Sequence, residues 1–247
     1  MCQEIDFFRK KLQPLSGITW EMPIAHIIPR MPTATAFGDS CLEGAGGYLI
    51  SLGYWWHLSF PEEVIQQTLM HKRDNEDGQL ILINVPEFVT VIINYCVSLH
   101  VFTTRSITND PHPVLLNVIY NASTLSWTNH TCRKSKLGRL LAWFFCSLLI
   151  NSPLGINSQW ISTDDNKIAD DISQIKKTLS NSLHSFDYSS LHQTYPELIY
   201  CSFFQIQPEL ILLIWDILLN KKWPTHKEVQ ILKRKPLGSL ITLNGQG

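Results

Sequence analysis

The sequence has no CxxC pair. Its six cysteines (Cys2, Cys41, Cys96, Cys132, Cys146 and Cys201) are scattered, a spacing that suits neither a zinc site nor a small disulfide scaffold, so reduced intracellular thiols are expected. It also lacks an excess of one charge. The net charge is −1, and no global basic field announces a nucleic-acid partner. Long apolar runs are missing as well: the longest, 140–150, is about half of what a membrane span needs, and 210–219 is interrupted by Asp216. The start, Met1-Cys2-Gln3-Glu4-Ile5-Asp6, is charged and holds no signal-peptide stretch. These absences lead to the expectation of a soluble intracellular protein, of cytoplasm or nucleus, with no membrane partner. The sequons at Asn121 and Asn129 mean nothing without secretion.

What is present suits a folded chain. An apolar share of 45% and eight tryptophans in 247 residues are enough for one real core with appendages, or two small domains. Residues 1–31 read as a lead-in: a short amphipathic helix over 4–12 with Ile5, Phe8 and Leu12 on one side, then coil broken by Pro14, Pro23 and Pro29. Residues 32–177 read as the main domain. Three strands in a meander are expected at 33–37, 47–51 and 54–60, followed by a short helical turn to 69 and a charged loop at 71–78. Asn84-Val85-Pro86-Glu87 opens a helix whose stripe is Phe88, Val91, Ile92, Tyr95 and Leu99. A buried-type strand (114–120), a short helix (121–127), a long helix (137–150), a strand (156–162) and a last helix (166–175) follow. Residues 178–247 read as a linker and a helical C-terminal extension, with one strong helix over 208–220.

Three carboxylates stand out. Asp39 lies where a short β-suited run stops at Gly38-Asp39-Ser40, before the glycines Gly44, Gly46 and Gly47. It is either an exposed ligand on a rigid frame or a turn former. Glu87 is either a functional group or the capping-box acid of its helix. Asp170 falls on the polar side of the last helix together with Asn166. Arg133, Lys134 and Lys136 form a basic cluster that is either a phosphate contact or a solvated loop. Trp55, Trp56, Trp127 and Trp160 read as packing residues in preference to base-stacking platforms.

The element order, with carboxylates at a strand end, a helix start and the last helix, resembles the ribonuclease H fold, and more closely the ribonuclease H domain of retroelement reverse-transcriptase polyproteins. Gly38-Asp39-Ser40 with Gly44-Ala45-Gly46-Gly47 resembles that family's Asp-Ala-Ser turn and glycine-rich strand. Ile83-Asn84-Val85-Pro86-Glu87 resembles its Ile-Asn-x-x-Glu helix start. Asn121-Ala122-Ser123-Thr124-Leu125-Ser126-Trp127 resembles its Asp-Asn-x-x-Ala-x-x-Trp block, and Asn166-Lys167-Ile168-Ala169-Asp170 its closing Asn-x-x-Ala-Asp block. The flanks Trp20-Glu21-Met22-Pro23 and Tyr195-Pro196-Glu197-Leu198 are also similar, so the likeness covers roughly 4–220.

The resemblance implies an α/β fold with a five-stranded mixed sheet flanked by helices. It implies hydrolysis of RNA in an RNA–DNA hybrid through two Mg²⁺ (or Mn²⁺) ions about 3.5–4 Å apart, held by four carboxylates. Asp39, Glu87 and Asp170 match the first, second and fourth ligands, with Asp171 as a substitute for the last. The third is absent: its position falls on Tyr120, or on Asn121 if slid by one residue. Phenol is neutral near pH 7, so a charge is lost where dications must be neutralised, and the implied nuclease is impaired. Asn121, Asp164 or Asp165 could compensate. Gln174, where the family has Arg, is a further departure. No polymerase palm with paired aspartates is present, which suggests a truncated element or a domain cut from a polyprotein. The expected partner is an RNA–DNA hybrid, with no small-molecule cofactor. A non-enzymatic binding or scaffold module on the same fold is the competing expectation.

Overall fold

A computed structural model describes residues 31–70, 81–105, 110–129, 135–175, 188–234 and 237–241. The expected helix over 4–12, the charged loop at 71–78, Arg133 and Lys134 lie outside the described residues. A meander opens the fold: β1 (Ala34–Ser40), β2 (Gly44–Leu49) and β3 (Tyr54–Ser59). Helices α1 (Glu62–Met70) and α2 (Asn84–Arg105) follow, then β4 (Val114–Ile119), α3 (Ala122–Asn129), α4 (Lys136–Leu149), β5 (Gly155–Trp160) and α5 (Lys167–Ser173). The C-terminal part contributes α6 (Tyr188–Thr194), β6 (Ser202–Ile206), α7 (Pro208–Asn220), α8 (His226–Arg234) and β7 (Gly238–Ile241).

The strands make one mixed sheet in the order β5-β4-β1-β2-β3-β6-β7. β1 pairs antiparallel with β2, and β2 with β3, while β4 runs parallel to β1 and β5 parallel to β4. The chain is thus α/β with a mixed sheet flanked by helices. Among the described residues the sheet has seven strands in place of the five expected from sequence, because β6 adds parallel to β3 at Tyr54↔Ser202 and Trp55↔Phe203, and β7 pairs with β6. The C-terminal extension is therefore not only helical. Phe204 and Ile206 are buried while Gln205 is exposed, the alternation of a half-buried strand.

β1 also runs further than the sequence suggests. Gly38, Asp39 and Ser40 are in the strand, with Asp39 opposite Gly46, so Asp39 is not a turn residue. The glycines sit in β2, and close approach is what they supply: a Cβ at Gly46 would lie 2.4 Å from Ile172 Cγ2. The sheet is covered on both faces. The larger core joins α2, α4 and α7 through Phe88, Ile92, Leu141, Phe144, Leu210 and Ile214. The smaller one gathers Tyr48, Trp55, Ala169, Ile172, Leu191 and Leu198 around α5. Adjacent Trp55 and Trp56 enter opposite cores, as strand alternation requires. α2 is long and apolar enough to cross a bilayer over Asn84–Thr104, yet 83% of its most apolar window is buried inside the protein. Its apolar circumference is that of a core helix covered on several sides.

Candidate functional site

Asp39, Glu87 and Asp170 come from β1, the first turn of α2 and α5, and the fold brings them together with Tyr120, which follows β4. Asp39 is buried at 4% exposure, and its Oδ1 accepts from the Ser40 amide at 2.8 Å. Burial, then the neighbouring Glu87 charge, then the Asp170 carboxyl within hydrogen-bonding reach, raise its pKa far above the ordinary carboxylate range. Glu87 is wholly buried and is likewise raised, first by burial. The Tyr120 hydroxyl, the Ser40 hydroxyl and Asp39 stand near enough to pull in the opposite direction. None of them completes a hydrogen bond of good geometry, because both Glu87 oxygens are buried without a partner among the described residues. The Tyr120 phenol is itself pushed up, by burial and by Glu87.

Glu87 is therefore not a capping-box acid. Among the described residues no N–H of the helix start bonds its carboxylate, and the backbone N–H beside it is that of Ser40 on β1; α2 is started differently: Val85 N donates to Leu82 O at 2.8 Å, and Asn84 Oδ1 accepts from Asn121 Nδ2 at 3.0 Å. A buried carboxylate with two orphaned oxygens is costly unless it is protonated or meets a cation.

The alternative ligands do not join the site. Asn121 Oδ1 accepts from the amides of Ser123 and Thr124 at 2.9 and 3.1 Å, which makes it the N-cap of α3, and its Nδ2 is spent on Asn84. Asp164 and Asp165 are exposed in the turn Thr163–Asp165, and Asp165 Oδ2 takes the Ser162 hydroxyl at 2.6 Å. Asp171 is exposed and bound by the Tyr195 hydroxyl. Asp170 is the one that meets Asp39, with its Oδ1 held by Gln174 Nε2 at 2.7 Å. Asn166 and Asp170, one turn apart, both face β1, so the side they share is turned to the sheet and not to solvent. Asn166 is buried, and its Nδ2 donates to Gly38 O at 3.2 Å. Lys136 is exposed at the start of α4, on an element that carries none of the site carboxylates.

Sequence reasoning did not single out Ser40, whose hydroxyl is buried beside Glu87 with no partner among the described residues. It did not single out Thr90 either, whose hydroxyl is shared between Pro86 O at 3.2 Å and Asp39 O at 3.4 Å, tying α2 to β1. Adjacency to Asp39 was the only available signal for Ser40, and for Thr90 its place one turn after Pro86. Of the four tryptophans, Trp55 and Trp56 are core and Trp127 packs edge-on to Phe88. Trp160 is 53% exposed, with its Nε1 donating to Tyr120 O at 2.7 Å.

Carboxylate oxygens suit a hard divalent cation, and Asp39, Glu87 and Asp170 are the residues that would hold one. Among the described residues, no three His, Cys, Asp or Glu side chains already close around a common point. The donor type suits such an ion, while the donor count falls short of what two would need. No protein-family model, curated protein or solved structure matches the chain.

Proposed function

We propose that the chain is a ribonuclease H-like domain of retroelement type, with a carboxylate site that has lost one ligand and is impaired as a nuclease. One observation carries the reading. Carboxylates from β1, α2 and α5, far apart in sequence, meet in a sheet ordered β5-β4-β1-β2-β3, while a phenol stands at the end of β4 beside Glu87. The antiparallel β1-β2-β3 meander with β4 and β5 parallel to β1 supports the same reading.

On this reading, Asp39, Glu87 and Asp170 hold a divalent cation, Mg²⁺ or Mn²⁺, and the substrate class is an RNA–DNA hybrid read by shape and 2′-hydroxyls. A bound cation would supply Lewis acidity and would lower the pKa of a water enough to give hydroxide as the nucleophile. Tyr120 leaves that arrangement short of charge: a neutral phenol stands beside Glu87 where a carboxylate would ligate. Activity is accordingly weak or absent, and hybrid binding is the function that survives. That binding falls steeply with salt.

The test is cleavage of a labelled RNA–DNA hybrid with Mg²⁺ or Mn²⁺ by the natural chain and by Tyr120→Asp. An inert natural chain and a cutting variant support the reading. A natural chain that cuts, and loses cutting in Asp39→Asn, shows an intact enzyme. Two folded, inert proteins that bind no hybrid point to the scaffold role.

A further inference from the structure

α5 has seven residues, yet it alone sets where Asp170 stands. Its last turn lies flat on β2: besides Ile172 Cγ2, a Cβ at Gly46 would meet the Ile172 carbonyl carbon and the Ser173 nitrogen, each at 2.8 Å. Burial of Ala169 and Ile172 holds the helix to the sheet, but apolar burial is non-directional. It does not fix the rotation or slide of so short a helix.

Asn166 Nδ2 ties the start of the helix to Gly38 O, and directional contacts to its carbonyl end come from two side chains, one on β3 and one just past β1. His57, on β3 and directly opposite Gly46, donates from Nδ1 to Ile172 O at 3.0 Å. A carbonyl only accepts, so Nδ1 carries the proton. The ring is braced at Nε2 by the Ser59 hydroxyl at 3.2 Å. Cys41, one residue past β1, donates from Sγ to Ser173 O at 3.2 Å. Terminal helix carbonyls lack intrahelical partners and are natural targets for such donors.

We infer that His57 and Cys41 are positioning residues: two donors that clamp the carbonyl end of α5 onto β2 and thereby hold Asp170 against Asp39. The consequence for cation binding rests on the carboxylate-site reading above; the clamp itself does not. Neither side chain touches the carboxylates by the bonds described, so both act through the backbone of α5. The thiol and the imidazole are needed as donors, and a hydroxyl in place of the thiol serves equally.

The experiment uses the full chain and its variants Cys41→Ala, Cys41→Ser, His57→Ala, Asp170→Asn and His57→Ala/Asp170→Asn. Amide hydrogen exchange is followed over 167–174, with β1 and α2 as internal standards, alongside titration with Mn²⁺. Loss of one donor opens α5 more often, so exchange there rises on the order of tenfold in Cys41→Ala and His57→Ala. It returns to the natural rate in Cys41→Ser and is unchanged in β1 and α2. Unchanged exchange over 167–174, or equal acceleration across the whole protein, overturns the clamp. Mn²⁺ affinity is expected to fall in His57→Ala as in Asp170→Asn, with no further fall in the double variant. If α5 loosens while Mn²⁺ affinity holds, the link to Asp170 is overturned. If the natural chain binds no Mn²⁺, the carboxylate-site reading fails, and the exchange pattern still decides the clamp.

Discussion

Asn121 Nδ2 donates to Asn84 Oδ1 at 3.0 Å, joining the start of α3 to the start of α2. The same Asn121 caps α3 through two backbone amides, and Thr124 Oγ1 returns to Asn84 O at 3.3 Å. The residue that a one-place slide would put into the carboxylate site is thus spent on holding two helix starts together, one of which carries Glu87. Asn121→Ala is expected to cost about 1–2 kcal/mol, the worth of an N-cap and one further hydrogen bond. Chemical denaturation measures it. Asn121→Asp keeps the cap and leaves hybrid cleavage as weak as in the natural chain, whereas Tyr120→Asp changes it.

The paired carboxyls give stability an unusual pH profile. Burial, joined at Asp39 by the Glu87 charge and the Asp170 carboxyl, raises Asp39 to about 9 and Glu87 to about 7, so the folded state binds more protons than the unfolded one. Their contribution is fully present below the ordinary carboxylate range near pH 4 and is lost as pH rises through the folded values. In chelator, stability should fall by on the order of a few kcal/mol between about pH 4 and pH 9. Asp39→Asn should flatten the curve. Thermal denaturation across that range is the check, and a flat profile in the natural chain rules the coupling out.

Glu87→Gln tests the orphaned oxygens directly. The charged form at high pH has no partner among the described residues, and a neutral amide of the same shape removes the cost of burying charge. The variant should be more stable than the natural chain at pH 8 in chelator, by about 1 kcal/mol or more. It should also lose any stabilisation by added Mg²⁺, since cation binding to the folded state alone raises apparent stability by mass action. A variant less stable than the natural chain under those conditions means that the carboxylate has a donor the geometry does not reveal.

Local rules found most of the elements and misjudged parts of the site. Alternation in 33–60 and the Asn84-Pro86 start were legible because strand period and helix entry are local properties. The extent of β1 was not: Gly38 reads as a breaker, and only pairing with Gly47 and the approach of α2 make it a strand residue. β6 is five residues long and is fixed by a partner some 150 positions earlier, at Tyr54 and Trp55, a non-local term that no window contains. For Glu87 the local capping rule pointed the wrong way, because the side chain is wholly buried beside Tyr120, Ser40 and Asp39, all distant in sequence. Asn121 is the reverse case. The preference of Asn for a helix start, applied before the family alignment, would have placed it correctly.

A buried polar chain under the site offers the sharpest stability prediction. Trp56 Nε1 donates to Asn94 Oδ1 at 2.8 Å, and Asn94 Nδ2 donates to Asn117 Oδ1 at 2.9 Å. All three residues are fully buried, and they link β3, α2 and β4. Gly47 makes the room: a Cβ there would lie 2.6 Å from Asn94 Oδ1 and 2.8 Å from Trp56 Nε1. Trp56→Phe removes the donor, strands a buried amide oxygen and leaves part of the indole volume empty. The expected cost is about 2–4 kcal/mol, from about 1–3 for the orphaned acceptor and the remainder for the cavity. Asn94→Ala is costly for the same reason, and the two should be coupled by about 0.5–3 kcal/mol in a double-mutant cycle. Additive losses would mean that the hydrogen bond contributes nothing, and that Trp56 holds α2 to the sheet by its volume alone.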